Sequence, residues 1–278
     1  MNKKIIIYHK NCPDGFGAAW AAWKKFGAKA EYIGEDHGQP EKKNLRDKDV
    51  YMVDFSYKQP EIDKVLKVAK SLTIIDHHIS AKEAVKSLES HSFSLNHSGA
   101  VLAWKYFHPG RKVPKLLLHI EDVDLWRFKL KNTRKIICDL ELYDFDFKVW
   151  DKLAKDLETP TGLKKHIESG RVILEYKQSL MAEALTKASK ATLAGYKALV
   201  VNSMFLNSEI GNTLVKAGAD IGIVYSERDG QRRVSLRSKS GGADVSKIAQ
   251  KYGGGGHKAA AGFSIPSNKP TPWRIIKS

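Results

Sequence analysis

The fold is decided by residues 72–78, which read Leu-Thr-Ile-Ile-Asp-His-His. This apolar, β-branched run ends abruptly in the carboxylate of Asp76 and the imidazoles of His77 and His78. The run predicts a buried strand of a parallel sheet, and open α/β sheets bind ligands at the carboxyl ends of their strands. Carboxylate oxygen beside imidazole nitrogen suits Mn²⁺, Zn²⁺ or iron. A strand-end turn with a capping aspartate and two solvated histidines explains the same residues, so the rest of the chain has to decide.

The composition is that of an ordinary globular chain with a large basic excess. The 278 residues are enough for two domains, and 42% of them are hydrophobic. No apolar run approaches the ~20 residues that cross a bilayer. The apolar segment after Lys4 is too short for a signal peptide, so we expect a first strand and a cytoplasmic protein that does not bind membranes. The formal charge of +16 favours nucleic acid as a partner, with a generally basic surface as the alternative.

Three further polar clusters follow apolar segments. Residues 4–8 predict a strand, and the turn after it holds His9 and Asp14 before a helix rich in alanine and tryptophan. Asp54 ends another apolar run, and residues 121–124, Glu-Asp-Val-Asp, end a helical one. A single strand-end carboxylate is usually a cap. Four polar clusters, three of them closing strands of one sheet, are better explained by a shared metal site.

The alternation of short strands and helices in the first half indicates a parallel sheet built by right-handed crossovers. Residues 144–193 are mostly helix-forming, and a new set of strands begins at residue 198. A hairpin turn is expected at residues 227–230. Residues 253–256 are four glycines, whose backbone can approach an anion closely, and we expect a helix of small residues after them.

Taken in order, these signatures resemble the DHH phosphoesterases that carry a C-terminal DHHA1 domain. The resemblance implies two α/β domains with the active site in the cleft between them. We place a parallel-sheet DHH catalytic domain at residues 1–145, a helical bridging segment at 146–193 and a smaller DHHA1 substrate-binding domain at 194–278. The likeness rests on His9 with Pro13-Asp14-Gly15, Asp54, Asp76-His77-His78, Asp122 in residues 121–126, and the Gly253-to-Phe263 block.

The resemblance also implies a role for each of these residues. The cofactor would be Mn²⁺, normally as two ions, with Mg²⁺ or another divalent ion as the alternative. The implied metal ligands are His9, Asp14, Asp54, His77 and Asp122, with Asp54 bridging the ions and Asp124 open in place of Asp122. His78 would contact the scissile phosphate, and Asp76 would orient a histidine of the motif. The implied substrate-binding residues of the second domain are Arg237, Ser238, Gly255, Gly256 and His257.

The chain departs from the family pattern at Phe16, where a second aspartate often binds the second metal. Water or another side chain would then complete that site. Asp36 and His37 are candidates because we expect them in a strand-end loop. Cys12 follows His9 closely in sequence, which leaves a thiol ligand open.

Our leading hypothesis is a metal-dependent phosphodiesterase acting on short oligonucleotides or single-stranded nucleic-acid ends. An exonuclease or oligoribonuclease of either polarity fits the basic charge. A phosphatase for small nucleotides of the bisphosphorylated adenosine type is the second hypothesis. A nucleic-acid-binding protein with a degenerate catalytic site, suggested by Phe16, is the third.

Overall fold

The computed structural model describes residues 3–35 and 44–276, which leaves Asp36 and His37 outside the described residues. The chain divides into two compact units, one ending at Leu174 and the other beginning at Glu175. Each unit contains its own sheet and its own core.

The first unit is built on a five-stranded parallel sheet with the order β2-β1-β3-β4-β5. The prediction of a parallel α/β sheet is therefore confirmed. The strands predicted at residues 4–8, before Asp54 and at 72–76 are present. The strands are β1 (Lys4–His9), β2 (Ala30–Glu35), β3 (Asp49–Val53), β4 (Ser71–Asp76) and β5 (His91–Phe93).

Helices cover both faces of this sheet because successive strand residues point to opposite sides. Ile6 packs with α1, α4, α5 and α7 on one face, whereas Ile5 and Ile7 pack with α2 and α3 on the other. The helices are α1 (Pro13–Phe26), α2 (Gln59–Val68), α3 (Lys82–Lys86), α4 (Gly99–Phe107), α5 (Lys115–Asp124), α6 (Thr133–Leu140), α7 (Phe147–Glu158) and α8 (Pro160–Thr186).

Strand β1 is the point at which the strand order reverses. It pairs with β2 on one side and with β3 on the other, so the connections on either side of β1 lead in opposite directions. This arrangement opens a crevice at the carboxyl ends of β1 and β3, which is where open α/β sheets bind ligands. The predicted polar clusters follow these same strand ends.

The second unit contains a mixed seven-stranded sheet in the order β10-β11-β9-β8-β7-β6-β12, in which β7 and β8 are parallel and the other neighbours antiparallel. The unit boundary falls within α8, so the second unit begins in the last turns of that helix. Its elements are β6 (Ser189–Leu193), β7 (Tyr196–Asn202), α9 (Asn207–Lys216), β8 (Ile221–Arg228), β9 (Gln231–Ser238), α10 (Val245–Gln250), β10 (Gly255–His257), β11 (Ala260–Pro266) and β12 (Arg274–Ile275).

The predicted helix after the four glycines is wrong, because those residues form strand β11. Ala261 and Phe263 alternate into the core with the period of a strand, and β11 pairs antiparallel with both β9 and β10. A side chain at Gly254 would meet the carbonyl oxygen of Gly262 at 2.1 Å. The glycines therefore allow two backbones to pack closely.

Within residues 3–35 and 44–276, every helix is too short or too polar to span a bilayer. The cytoplasmic location expected from the sequence stays a prediction.

Candidate metal centre and substrate groove

His9 and Asp14 meet where β1 passes into α1. His9 is the last residue of β1, and Asp14 lies in the first turn of α1, after a proline that suits a helix start. A side chain at Gly15 would lie 2.1 Å from the carbonyl oxygen of His9, so only glycine lets the helix begin this close to the strand.

Asp54 has a strained backbone at the end of β3. Its φ angle is +50°, a left-handed conformation that is uncommon for an aspartate. Its backbone N–H donates to the carbonyl oxygen of Ile75 at 2.9 Å, and its carboxylate is 1% exposed. Strained residues of this kind cluster at functional sites, where the surrounding structure imposes the conformation.

The N-terminus of helix α4 holds the carboxylate of Asp14. The backbone N–H groups of Gly99 and Ala100 donate to its Oδ2 and Oδ1 at 2.6 and 3.0 Å. A side chain at Gly99 would lie 2.4 Å from Cβ of Asp54, so this helix end can approach only through glycine. The partial positive charge of a helix N-terminus stabilises a buried carboxylate. This contribution was not predicted from the sequence, although Ser98-Gly99, in which Ser98 caps the helix, is its local signal.

His77 is surrounded by three carboxylates. Its Nε2 atom lies 3.2 Å from Oδ1 of Asp54, and 3.6 Å from Oδ2 of both Asp14 and Asp124. His77 Nε2 and Asp54 Oδ1 are both buried, and neither has a hydrogen-bond partner within the described part of the chain. One imidazole proton cannot satisfy three carboxylates, whereas a cation between them would contact every one of these donors. Oxygen and imidazole donors at these separations fit a Mn²⁺, Zn²⁺ or iron ion.

The charges of this cluster are not balanced by the protein itself. Burial, together with the charges of Asp54 and Asp124, raises the pKa of Asp14 well above its usual value. Burial likewise raises the pKa of Asp124, to about 6, although His77 opposes it. Burial also opposes ionisation of Asp54, but the neighbouring imidazoles of His77 and His9 lower its pKa to about 2. Crowded carboxylates that raise one another's pKa are typical of a place where a cation would bind.

Asp76 holds the ring of His78. Its Oδ1 atom accepts hydrogen bonds from the backbone N–H groups of His77 and His78 at 2.7 and 3.1 Å, and lies 2.7 Å from Nδ1 of His78. Burial lowers the pKa of His78, but the hydrogen bond and charge of Asp76 raise it to about 9. A cavity of about 430 Å³ opens beside Asp76 and His78 and is also lined by Ser56 and Lys58.

Asp122 lies apart from the carboxylates around His77. Its carboxylate accepts from the backbone N–H groups of Lys129 and Leu130 and from the hydroxyl of Thr133, at 2.8, 3.0 and 2.7 Å. It therefore closes the loop after α5. Asp124 follows two residues later, and it is the acidic residue of this segment that lies near His77. The structure thus brings together His9, Asp14, Asp54, His77 and Asp124, and not Asp122.

The second unit carries an open groove of about 790 Å³ beside β9 and the glycine-rich strand β10. Arg237 lines it, and hydrogen bonds to the hydroxyl of Ser208 and the carbonyl oxygen of Leu236 fix its guanidinium. Ser238 is turned inward, where its hydroxyl donates to the carbonyl oxygen of Ala243 at 2.7 Å. Of the five substrate-binding residues that the resemblance implies, Ser238 does not line this groove, whereas Arg237, Gly255, Gly256 and His257 do. The groove is also lined by Arg233 and Asn207.

Comparisons with known proteins agree with this architecture. The sequence model of the DHHA1 domain matches residues 206–271. An uncharacterized protein of Acanthamoeba polyphaga mimivirus is 31% identical over 95% of this chain and 68% of its own length. The oligoribonuclease NrnB of Bacillus subtilis is 42% identical over 66 residues, which are 24% of this chain and 16% of that protein.

Solved structures share the fold along almost the whole chain. The pGpG-specific phosphodiesterase PggH of Vibrio cholerae superposes with a TM-score of 0.55 and 13% identity, covering 95% of this chain and 93% of that one. RecJ of Thermus thermophilus in complex with Mn²⁺ has a TM-score of 0.54 and 14% identity, covering 95% and 50%. The chain belongs to the DHH phosphoesterases that carry a C-terminal DHHA1 domain.

Proposed function

We propose that this protein is a metal-dependent phosphodiesterase that hydrolyses short oligonucleotides or single-stranded nucleic-acid ends. The observation that carries the proposal is the position of His77 Nε2 between the carboxylates of Asp14, Asp54 and Asp124. Asp54 and His77 follow strands of the parallel sheet at their carboxyl ends, beside its switch point, and Asp14 and Asp54 are buried.

Two divalent ions, Mn²⁺ in the first instance, would be held by His9, Asp14, Asp54, His77 and Asp124. When bound, such ions activate water and polarise the phosphoryl oxygens. The protein's own contribution is to hold the donors in advance. The N-terminus of α4 orients both oxygens of Asp14, and the strained backbone of Asp54 directs its carboxylate toward the histidines. Preorganised charge of this kind lowers the barrier without reorganisation during the reaction.

His78 would stabilise the negative charge that develops on the phosphoryl oxygens. Asp76 fixes its ring, and the hydrogen bond and charge of Asp76 favour the imidazolium form. The cavity beside Asp76 and His78 gives room for part of the substrate next to this charge. In this role His78 would contact the substrate, whereas Asp76 would act only by positioning it.

The groove of the second unit would bind a nucleotide or terminal phosphate. Arg237 can hold a phosphate with two parallel hydrogen bonds, and the glycines at 253–256 let backbone approach it closely. The net charge of +16 favours a nucleic-acid substrate. The likeness to an oligoribonuclease, although limited to 66 residues, supports short substrates.

The test is hydrolysis of 5′-labelled RNA and DNA, two to about twenty nucleotides long, in the presence of Mn²⁺. Wild type is compared with His77→Ala, which removes the central imidazole. His91→Ala is the matched control, because His91 is exposed and its ring contacts the carbonyl oxygen of Leu88 rather than the carboxylate cluster. Metal content of each protein is measured in parallel.

We expect rates that are highest on the shortest substrates, abolished by His77→Ala and unchanged by His91→Ala. Equal rates on long strands would replace the short-substrate proposal by a general exonuclease. Release of phosphate from mononucleotides alone would favour a small-nucleotide phosphatase. Binding of metal and RNA without any hydrolysis would refute the proposed activity.

A further inference from the structure

Phe16, which stands where the family often has its second aspartate, is directed into the core of the first unit. Its ring stacks on Phe147 at 4.8 Å between centroids and packs edge-on against Trp150 at the same distance. Phe145 and Tyr8 complete its surroundings. The side chain is 2% exposed. Position 16 therefore provides no ligand in this chain, and any replacement has to come from elsewhere.

Cys12 is a candidate for such a ligand. It is the residue before helix α1, and it precedes Asp14 by two positions. Its sulfur, a ring nitrogen of His9 and a carboxylate oxygen of Asp54 all lie within 4.8 Å of one another. This group shares Asp54 with the cluster around His77 but is otherwise separate from it.

The neighbours of the sulfur are arranged as ligands of one ion would be. His9 Nδ1 and Asp54 Oδ2 are 3.7 Å apart, close to the roughly 3.4 Å between two tetrahedral ligands with bonds of about 2.1 Å. Asp54 is buried, and its second oxygen, Oδ1, has no hydrogen-bond partner among the described residues. The Asp14 and Gly15 amides at the start of the 14-residue helix α1 also interact with the sulfur. Burial and the charge of Asp54 raise the pKa of the Cys12 thiol to about 12, although hydrogen bonds from the Gly15 and Asp14 amides oppose this rise. A bound divalent cation would supply the positive charge that a thiolate needs here.

We propose that Cys12 is a metal ligand, which forms a sulfur–nitrogen–oxygen site with His9 and Asp54. This inference rests on the proposed function, since it assumes that the cluster binds divalent ions. Binding would convert the thiol to a thiolate, form a sulfur–metal bond and release one proton to solvent. Asp54 would join this site to the site of Asp14, His77 and Asp124.

The consequence is a pair of sites with different metal preferences. A thiolate favours Zn²⁺ and other softer ions, whereas carboxylates with one imidazole suit Mn²⁺ or Mg²⁺. Removal of the thiol should therefore weaken Zn²⁺ or Co²⁺ binding at this site at least about 100-fold. Mutating a residue that only hydrogen-bonds to a metal ligand already lowers metal affinity by up to about 100-fold, and loss of the ligand itself should cost at least as much. The other site keeps all its donors and should retain its affinity for Mn²⁺.

The test is optical spectroscopy of the full-length protein titrated with Co²⁺, with bound metal counted by mass spectrometry. Cobalt bound to a thiolate gives a near-ultraviolet charge-transfer absorption, which oxygen and nitrogen ligands do not give. Cys12→Ser removes the thiolate but keeps a good helix-capping side chain. Cys138→Ala is the matched control, because Cys138 lies on α6 within the first unit.

We expect the charge-transfer band in wild type and in Cys138→Ala, and its loss in Cys12→Ser. Cobalt that binds wild type without this band would overturn the thiolate ligand and leave the proposed function standing. Equal bands in wild type and Cys12→Ser would also overturn it. Absence of any cobalt or manganese binding would overturn both the metal-dependent function and this inference.

Discussion

Two acidic residues of one helical segment are expected to have opposite roles, and replacing each by asparagine separates them. Asp124 lies 3.6 Å from Nε2 of His77 and belongs to the proposed metal cluster. Asp122 is 4% exposed and accepts two hydrogen bonds from the loop that follows α5 and one from Thr133 at the start of α6. We predict that Asp122→Asn lowers stability without removing metal. We predict that Asp124→Asn removes metal without lowering stability.

The magnitude for Asp122 follows from its hydrogen bonds. Asparagine can keep the bonds to Leu130 and Thr133 through its carbonyl oxygen, but its NH₂ group then faces the N–H of Lys129. The loss of one hydrogen bond to a charged group, together with the unfavourable contact between the asparagine NH₂ and the N–H of Lys129, lowers the free energy of unfolding by about 2–3 kcal/mol. In a unit that ends at residue 174, this cost lowers the melting temperature by about 4–12 °C.

Asp124 is expected to lower the stability of the metal-free protein, whereas Asp122 raises it. Its carboxylate is crowded by Asp54 and Glu121, so that burial and these charges raise its pKa to about 6. Replacing it by asparagine relieves this repulsion in the metal-free protein. The melting temperature without metal should stay equal or rise slightly. Mn²⁺ content and hydrolysis should fall, the latter at least about 100-fold, or roughly 2.7 kcal/mol of transition-state stabilisation.

The assay is thermal unfolding of both variants with and without a chelator, together with measured metal content. The pH dependence gives a second check. Burial opposes ionisation of Asp122, but hydrogen bonds from Thr133, Lys129 and Leu130 lower its pKa. Its stabilisation is complete above the unfolded pKa of about 3.9 and is lost as pH falls through the lower folded value. The difference between wild type and Asp122→Asn should therefore shrink below about pH 4. Loss of metal in Asp122→Asn with unchanged melting temperature would refute this assignment.

Three further predictions test other parts of the structure. Gly99→Ala should cost about 1–3 kcal/mol of stability and weaken Mn²⁺ binding, because the new methyl group would lie 2.4 Å from Asp54 Cβ. Unchanged metal titration and melting temperature would contradict the close approach of α4 to Asp54. Arg237→Lys should raise KM for oligonucleotides about tenfold, or ~1.4 kcal/mol, with metal content unchanged, since lysine lacks the planar fork; an unchanged KM would remove Arg237 from the substrate groove's function. His166→Ala should destabilise the first unit by about 3–5 kcal/mol, because it leaves the buried Asp139 carboxylate without the ring 2.6 Å away. Metal content and activity per folded molecule should not change in that variant, and their loss would indicate a functional histidine.

Local sequence patterns were sufficient for the architecture of the first unit. The apolar runs at 4–8, before Asp54 and at 72–76 lie in strands, and the prediction of an α/β fold with a parallel first sheet is confirmed. Each run ends in a charged or imidazole side chain, and parallel strands place such ends at one edge. The strand-end positions of His9, Asp54 and His77 could therefore be predicted from sequence, while their roles as ligands stay predictions.

Tertiary structure decided the features that depend on distant partners. Asp122 and Asp124 have the same chemistry and lie two positions apart in α5, which points them to different sides of the helix, and only packing decides which of them lies near His77. Gly99 donates to Asp14 across 85 residues of chain, so the local pattern Ser98-Gly99 indicates a helix start but not the carboxylate that it holds. The alanines after the glycine run favour a helix by propensity, but pairing with β9 and burial of Phe263 make them a strand. Local propensity contributes only tenths of a kcal/mol per residue, and the packing of distant segments overrides it.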